Sequence, residues 1–327
     1  MPNRRWPDVP SHLVFTLLMV SLMTGCVPLP GAPPAGVGPP PVSSRALVIY
    51  TPATPSSIPI LLAARHIDGA QVTIFSNHTQ ANAQFLRGDV NILVTGLSVG
   101  VDLFTNGAPV QVINSYVAGM TYLVTHGKKV ERFADLKGQT IYIPFEGSPI
   151  EETTRFFIER EGLTWKQDIN VAYAPFASSV ELLKQGKAAA VALPEPSVSL
   201  IEQVPDLHIS LSYRRLWDGA TGSGSGYPQV APFVNQGWAA GHPDVIRRFN
   251  EEVAAALKTI QDDPGAVAAQ THDALDLPAP VLTAALARTE FAFTSGDALS
   301  RAIRDYYQTI GKPVDESFDA FFYLGPQ

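Results

Sequence analysis

The sequence predicts an α/β protein with two similar lobes. Short apolar runs, typical of buried parallel strands, alternate with segments of helical periodicity, which is the pattern of β-α-β units. The order strand, polar loop, helix, strand, glycine-closed helix, apolar strand occurs twice, in residues 46–96 and again in residues 139–194. The composition agrees, because 327 residues that are 46% hydrophobic and 16% charged can bury one or two cores.

In the first half, strands are predicted for 46–50, 71–75, 90–96 and 110–116, and helices for 58–66, 80–88 and 98–105. Gly88 supplies the left-handed residue that closes the second of these helices. In the second half, strands are predicted for 139–145, 170–175 and 188–194, and helices for 150–161 and 178–185. Gly162 and Gly186 close these two helices in the same way.

Two helix starts in the second half have capping signatures. Ser148 precedes Pro149 and Glu151, and Ser178 precedes Glu181, so each hydroxyl is placed to cap a helix. Helix N-termini of this kind follow strand ends, where ligands bind in open α/β sheets.

The rest of the chain predicts a helix to about residue 203, a strand near 208–213, a glycine-rich surface loop at 217–228 and a strand in 231–241. The glycines of this loop do not match a phosphate-binding motif, since no GxxxxGK pattern is present. Residues 242–264 predict a long amphipathic helix whose apolar stripe serves packing. Further helices are predicted beyond it.

The N-terminal residues have the features of an export signal. Arg4 and Arg5 precede an apolar run at 13–23 that is too short to span a bilayer, so residues 1–25 are predicted to be a secretory signal. The string LMTGC resembles the lipobox of bacterial lipoproteins, which implies lipidation of Cys26; the alternative is a buried core cysteine behind an ordinary signal peptide. Residues 26–44 follow as a proline-rich linker that holds the body away from the membrane.

Charge and ligand types exclude several function classes. The net charge is -7, and removal of the signal leaves 21 basic and 29 acidic residues, so a nucleic-acid partner is not expected. One cysteine and seven scattered histidines lack metal-ligand spacing, so neither a metal nor a cofactor is expected. We interpret the histidines as surface or capping residues.

Three segments carry a family resemblance: FADLKGQTIYIPFEGSPIEETTRFFIEREGL, VAYAPFASSVELLKQGKAAAVALPEPSVSLI and GHPDVIRRFNEEVAAALKTIQDDP. They resemble the nitrate, sulfonate, taurine and thiamine-precursor branch of type 2 periplasmic binding proteins, which are solute receptors of ABC importers. The resemblance runs from about Leu47 to the C-terminus, and its most specific pieces are DLKGQTIYIP, LLKQG and LPEP. It implies a first lobe of residues 45–120 plus 233–327, a second lobe of residues 121–232, and hinge crossings near 117–124 and 229–234.

The resemblance also implies a ligand cleft formed by strand-end loops of both lobes. The implied ligand-binding residues are Thr51, Thr54, Ser56, Thr95, Gly96, Ser98, Asn114, Tyr116, Phe145, Glu146, Gly147, Ser148, Phe176 and Glu195. Two alternatives stay open: Ser148 only caps its helix, and Glu195 forms a salt bridge near the hinge.

The implied function is binding without chemistry. A small molecule would close the lobes by hinge rotation, and a membrane ABC permease would recognise the closed form of a lipid-anchored monomer that faces the periplasm or the cell exterior. The rivals are an enzyme of cofactor biosynthesis on the same fold and a sensor for a membrane signalling protein. No histidine paired with an acid at a recognisable spacing supports the enzyme. Because the implied cleft has aromatic rings and two carboxylates but no arginine, a heterocycle, pyrimidine or amine is expected to bind better than a sulfonate or nitrate.

Overall fold

A computed structural model describes residues 47–325, so the predicted signal peptide, Cys26 and the linker lie outside the described residues. The strands are β1 (Leu47–Pro52), β2 (Ala70–Phe75), β3 (Ile92–Gly96), β4 (Val110–Val112), β5 (Ser115–Gly119), β6 (Thr121–His126), β7 (Thr140–Ile143), β8 (Asn170–Tyr173), β9 (Ala190–Pro194), β10 (Leu207–Ser212), β11 (Val230–Asn235) and β12 (Glu290–Thr294). The helices are α1 (Ser57–Ala64), α2 (His78–Leu86), α3 (Leu97–Thr105), α4 (Pro149–Arg160), α5 (Phe176–Lys184), α6 (Ser197–Ile201), α7 (Tyr213–Thr221), α8 (Gln236–Gly241), α9 (Pro243–Asp262), α10 (Pro264–Thr271), α11 (Ala279–Arg288) and α12 (Gly296–Thr309).

Two sheets organise these elements. The first has seven strands in the order β12-β5-β11-β3-β1-β2, with β4 also paired to β11; the second has five in the order β10-β6-β9-β7-β8. We call the parts built on these sheets the first lobe and the second lobe. The prediction of a two-lobed α/β fold is confirmed.

Each sheet is mixed instead of mainly parallel. In the first, β1 pairs in parallel with β2 and β3, whereas β11 runs antiparallel to β3. In the second, β7 pairs in parallel with β8 and β9, whereas β6 runs antiparallel to β9. The β-α-β units form the parallel half, and the strands that carry the chain between the lobes form the antiparallel half. β9 is buried along its whole length, as expected for a strand covered on both faces.

Several elements differ from the sequence prediction. The strand predicted for 110–116 is divided into β4 and β5, and the segment predicted as a loop from 217 continues α7 to Thr221, where Gly222 ends the helix with φ +73°. The region predicted to be helical after α9 contains β12, which pairs with β5 at the sheet edge. The predicted lobe boundary at 232/233 lies inside β11, which begins at Val230.

One hydrophobic cluster extends through both lobes. Trp217 of α7 packs 5.3 Å from the ring of Tyr306 in α12, and Tyr227 lies against both rings. Tyr306 also donates a hydrogen bond to Glu152 of α4. The C-terminal helix therefore packs against the second lobe as well as the first.

Within residues 47–325, no helix has both the length and the apolar character needed to cross a bilayer. The same residues contain no group of three His, Cys, Asp or Glu side chains placed to hold a metal ion.

Candidate functional site

The two lobes are joined at a hinge where the crossing segments touch. β5 passes into β6 through Met120, and the return crossing enters β11 after Gln229. The buried Gln229 side chain accepts a hydrogen bond from the Met120 N–H at 3.0 Å and donates one to Thr121 Oγ1 at 2.8 Å. This one side chain ties the two crossings together, so they form a single pivot.

Away from the hinge, the lobes meet between α3 and α4. Ser98 Oγ at the start of α3 donates a hydrogen bond to the Gly147 carbonyl at 2.8 Å. Gly96 lies so close to the second lobe that an added Cβ would stand 2.6 Å from Pro149 Cγ. Glycine is therefore required at residue 96 for this approach of the lobes.

A cavity of about 70 Å³ lies between the hinge and this contact. Its walls include the carboxyl ends of β1, β3, β7 and β9, the edge at which ligands bind in parallel α/β sheets. The described residues that line it include no Asp, Glu, Lys or Arg. The predicted site residues among them are Thr54, Thr95, Gly96, Phe145, Ser148 and Phe176.

Ser148 both caps α4 and lines the cavity. Its Oγ accepts a hydrogen bond from the Glu151 N–H at 3.1 Å, as the capping signature predicts. The Glu151 carboxylate accepts from the Gly147 N–H and from the Tyr173 hydroxyl. These bonds fix the loop at residues 145–148 against its own helix.

Four predicted residues are buried next to the cavity or away from it. Tyr116 is fully buried, donates its hydroxyl to the Ser56 carbonyl at 2.7 Å, and has a pKa that burial raises, so it packs the core of the first lobe. Thr51, in β1, and Ser56, in the loop that follows β1, are buried and do not line the cavity. Asn114 donates from Nδ2 to Asn250 Oδ1 of α9 at 2.8 Å and does not reach the cleft.

Neither predicted carboxylate faces the cavity. Glu146 is exposed and pairs with Lys166 at 3.1 Å. Glu195 is fully buried, accepts a hydrogen bond from the Ser199 N–H at 3.1 Å and lies 3.7 Å from the Arg288 guanidinium. Burial raises the pKa of Glu195. The contact with Arg288 matches the salt-bridge alternative for this residue.

His78 is a cavity residue that the sequence analysis missed. It is the first residue of α2, its ring lies edge-on to Phe75 at 5.1 Å, and it approaches the Phe145 ring at 6.0 Å. Burial lowers its pKa, which favours the neutral imidazole. The available signal was its place directly after β2, because that strand end lies beside β1. The other lining residues outside the predicted set are Pro52, Val99, Met120, Pro144, Pro149, Ile150, Pro194, Gln229 and Val230.

Replacing Ser148 by alanine should lower the free energy of unfolding by about 1 kcal/mol, because the buried cap of α4 is lost. Ser178 is the matched control: the sequence predicted a cap there as well, but α5 begins at Phe176, so Ser178 is an exposed residue inside the first turn. Ser178→Ala should leave the urea midpoint unchanged or slightly raised. Equal losses in the two variants would contradict the assigned cap.

No family model and no curated protein matches the chain in sequence. Solved structures match it in fold. An ABC transporter protein from Parabacteroides distasonis has a TM-score of 0.69 at 17% identity, over 87% of this chain and 97% of that one. The periplasmic aliphatic sulphonate binding protein SsuA from Escherichia coli has a TM-score of 0.68 at 17% identity, over 87% of this chain and 94% of that one.

A Candida albicans protein described as having the generic periplasmic binding protein fold also matches, with a TM-score of 0.64 at 12% identity over 86% of this chain and 97% of that one. The chain has the periplasmic binding protein fold. This is the fold that the sequence resemblance implies. In this periplasmic binding protein fold, the cavity lies in the cleft between the lobes, together with the hinge at Gln229 and the contact between Ser98 and Gly147.

Proposed function

We propose that the protein is an extracytoplasmic solute-binding protein of an ABC importer, and that it closes its lobes on a small molecule. The observation that carries this proposal is a cavity walled by both lobes, with one pivot on one side and a direct contact between the lobes on the other. A ligand that touches both walls favours the closed form by its differential affinity. The function requires no reactive group.

The cavity favours a neutral ring over an inorganic or sulfonate anion. Phe145, Phe176 and His78 offer ring surfaces, and the described lining residues provide no cationic side chain. Helix N-termini could hold an anion. However, the Leu97 N–H of α3 already donates to the Gln229 carbonyl, and Pro149 removes an N–H from the first turn of α4. The two carboxylates that first suggested a cation lie elsewhere, so an amine needs a partner outside the cavity.

Binding requires the lobes to move. The cavity of about 70 Å³ is much smaller than the roughly 300 Å³ at which ligand pockets begin. We infer that the lobes separate to admit a ring and that the hydrogen bond between Ser98 and Gly147, which joins them, then breaks. Because the hinge side is fixed by Gln229, we infer that opening occurs at the α3–α4 side.

A thermal-shift screen tests the function. We expect a heterocyclic or aromatic metabolite at a hundred times its dissociation constant to stabilise the protein by roughly 2.7 kcal/mol, which raises the midpoint by about 5 °C. Mass spectrometry should then recover it unaltered after long incubation. Turnover would support the enzyme rival, and a large shift with sulfonate or nitrate alone would reject the ring proposal.

We also propose that residues 1–25 direct export and that Cys26 carries a lipid anchor, with the linker to residue 44 holding a monomeric body near its permease. Cys26→Ser should move the protein from the membrane fraction to the soluble fraction or stall its processing, because no other cysteine exists in the chain. Ser43→Ala, in the linker, serves as a control that should leave the fractionation unchanged. Retention of processed Cys26→Ser in the membrane would show that the anchor is wrong.

A further inference from the structure

A groove of about 400 Å³ lies beside the cavity, on the surface between α2 and α3. We call it the α2–α3 groove; its walls include His78, Asn82, Val99, Asp102, Asn106 and Phe145. Three of these residues, His78, Val99 and Phe145, also line the cavity. The groove and the cavity are therefore neighbouring spaces separated by shared side chains.

Three side chains of the α2–α3 groove have hydrogen-bond acceptors without a partner among the described residues. Asn82 Oδ1 and His78 Nδ1 are buried and have no hydrogen-bond partner among the described residues. Buried polar atoms are usually paired, so two unpaired atoms in one groove need an explanation. The Asp102 carboxylate makes no hydrogen bond or ion pair with the described residues; burial raises its pKa, and the charge of Lys312, which lies outside the groove walls, lowers it.

We propose that the α2–α3 groove binds an amino or ammonium group of the transported molecule, while the ring of that molecule enters the cavity past Phe145. The proposal rests on the proposed function, whose binding site it extends. Asn82 Oδ1 and the Asp102 carboxylate accept hydrogen bonds from the amine, and His78 Nδ1 accepts one in the tautomer protonated at Nε2. A carboxylate or sulfonate in the same place would face Asp102, and the groove walls include no Lys or Arg to pair with it.

This arrangement assigns the ligand class as a ring with a short amine-bearing arm. The cavity accommodates apolar surface, and the groove provides the acceptors that the cavity lacks. It also restores the expectation of an amine, with Asp102 as the acidic partner in place of Glu146 and Glu195. Phe145 stands between the two spaces with its ring 6.0 Å from that of His78, so the ligand must displace it or pass along it.

The test compares three probes that share a phenyl ring: 2-phenylethylamine, 2-phenylethanol and phenylacetate. Calorimetric titration of the full chain should rank the amine first and phenylacetate last. Asp102→Asn should weaken 2-phenylethylamine about tenfold, the loss expected for a charge-assisted hydrogen bond, and should change 2-phenylethanol much less. Asp89→Asn is the matched control, because Asp89 pairs with Arg87 on the surface outside the groove and its replacement should change neither affinity.

The outcomes distinguish a failure of the groove proposal from a failure of the proposed function. Binding of 2-phenylethylamine that is unchanged in both Asp102→Asn and Asn82→Leu would overturn the groove and leave the proposed function standing. Tighter binding of phenylacetate, or no binding of the amine, would also overturn the groove. A metabolite screen that finds no ligand able to stabilise the protein would instead count against the proposed function.

Discussion

Replacing Gly96 by alanine is expected to hold the lobes apart and to weaken ligand binding at least tenfold while the fold stays intact. The new Cβ would stand 2.6 Å from Pro149 Cγ and 3.1 Å from its Cδ, and a proline ring cannot turn away from such a contact. The backbone of Gly96, at φ -62°, accepts alanine without strain. Because the contact joins two lobes around a hinge, a small rotation relieves it.

Gly100, four residues further along the same region, is the matched control. A Cβ there would fall 2.1 Å from Phe233 Cε1 inside the core of the first lobe, where no rotation of the lobes gives relief. Gly100→Ala should therefore lower the free energy of unfolding by about 1–3 kcal/mol, beyond the helix propensity it gains. Urea unfolding and small-angle scattering distinguish the two variants: Gly96→Ala should unfold like wild type but show a larger radius of gyration. A wild-type radius and affinity for Gly96→Ala would contradict the closure contact.

Arg288→Met is expected to cost about 3 kcal/mol of stability at pH 7, because it leaves the fully buried carboxylate of Glu195 without its cation. Arg288 of α11 also binds Ser199 Oγ at 2.8 Å and the Glu202 carboxylate, so it fastens the first lobe to α6 of the second. This loss of unfolding free energy is at the lower end of the range for a broken buried ion pair, because the Arg288 side chain is partly exposed.

The loss in Arg288→Met should depend on pH. Burial raises the pKa of Glu195 above its unfolded value, so folding makes the ionised form less favourable than it is in the unfolded chain. Such a group stabilises the fold fully below the unfolded pKa, and its contribution is lost as the pH rises toward the folded pKa. Without Arg288 that pKa rises further, so the deficit should be small near pH 4 and complete at pH 8 in urea titrations.

Two further variants check the assignment to Glu195. Adding Glu195→Gln to Arg288→Met should recover most of the stability at pH 8, because a neutral amide needs no cation. Glu202→Gln, at the more exposed partner of Arg288, should cost less than about 1 kcal/mol. A deficit that stays the same from pH 4 to pH 8 would show that lost packing, and not an unpaired charge, destabilises Arg288→Met.

Local sequence signals predicted the strand and helix order well. The apolar runs at 90–96 and 188–194 became the buried strands β3 and β9, because a strand covered on both faces needs continuous apolar residues. Ser148 with Pro149 predicted the start of α4, since a helix cap depends on residues within one turn. Strand β12 was missed because EFAFT is a short, half-buried edge strand whose partner is distant in sequence.

The direction of each side chain at the strand ends could not be predicted in the same way. Tyr116 and Phe145 are the last residues of two predicted strands, 110–116 and 139–145, yet Tyr116 turns into the core while Phe145 lines the cavity. The break between β4 and β5, which decides where Asn114 points, depends on pairing with β11 more than 110 residues later. The environment of Glu195 likewise depends on a distant residue, because its cationic neighbour, Arg288, comes much later in the sequence.

The distance between the two lobes, measured with and without bound metabolite, shows whether the protein binds by lobe closure. Leu86 and Arg160 are exposed last residues of α2 and α4, two helices whose first residues line the cavity from opposite lobes. The two sites are changed to cysteine and spin-labelled in a Cys26→Ser background, which removes the chain's only native cysteine. Pulsed electron paramagnetic resonance then measures the distance between the labels. Without metabolite, we expect a broad distribution of distances between the two labels. A metabolite that raises the thermal midpoint should narrow this distribution to the distance of the closed form. An unchanged distribution with such a metabolite bound would contradict binding by lobe closure.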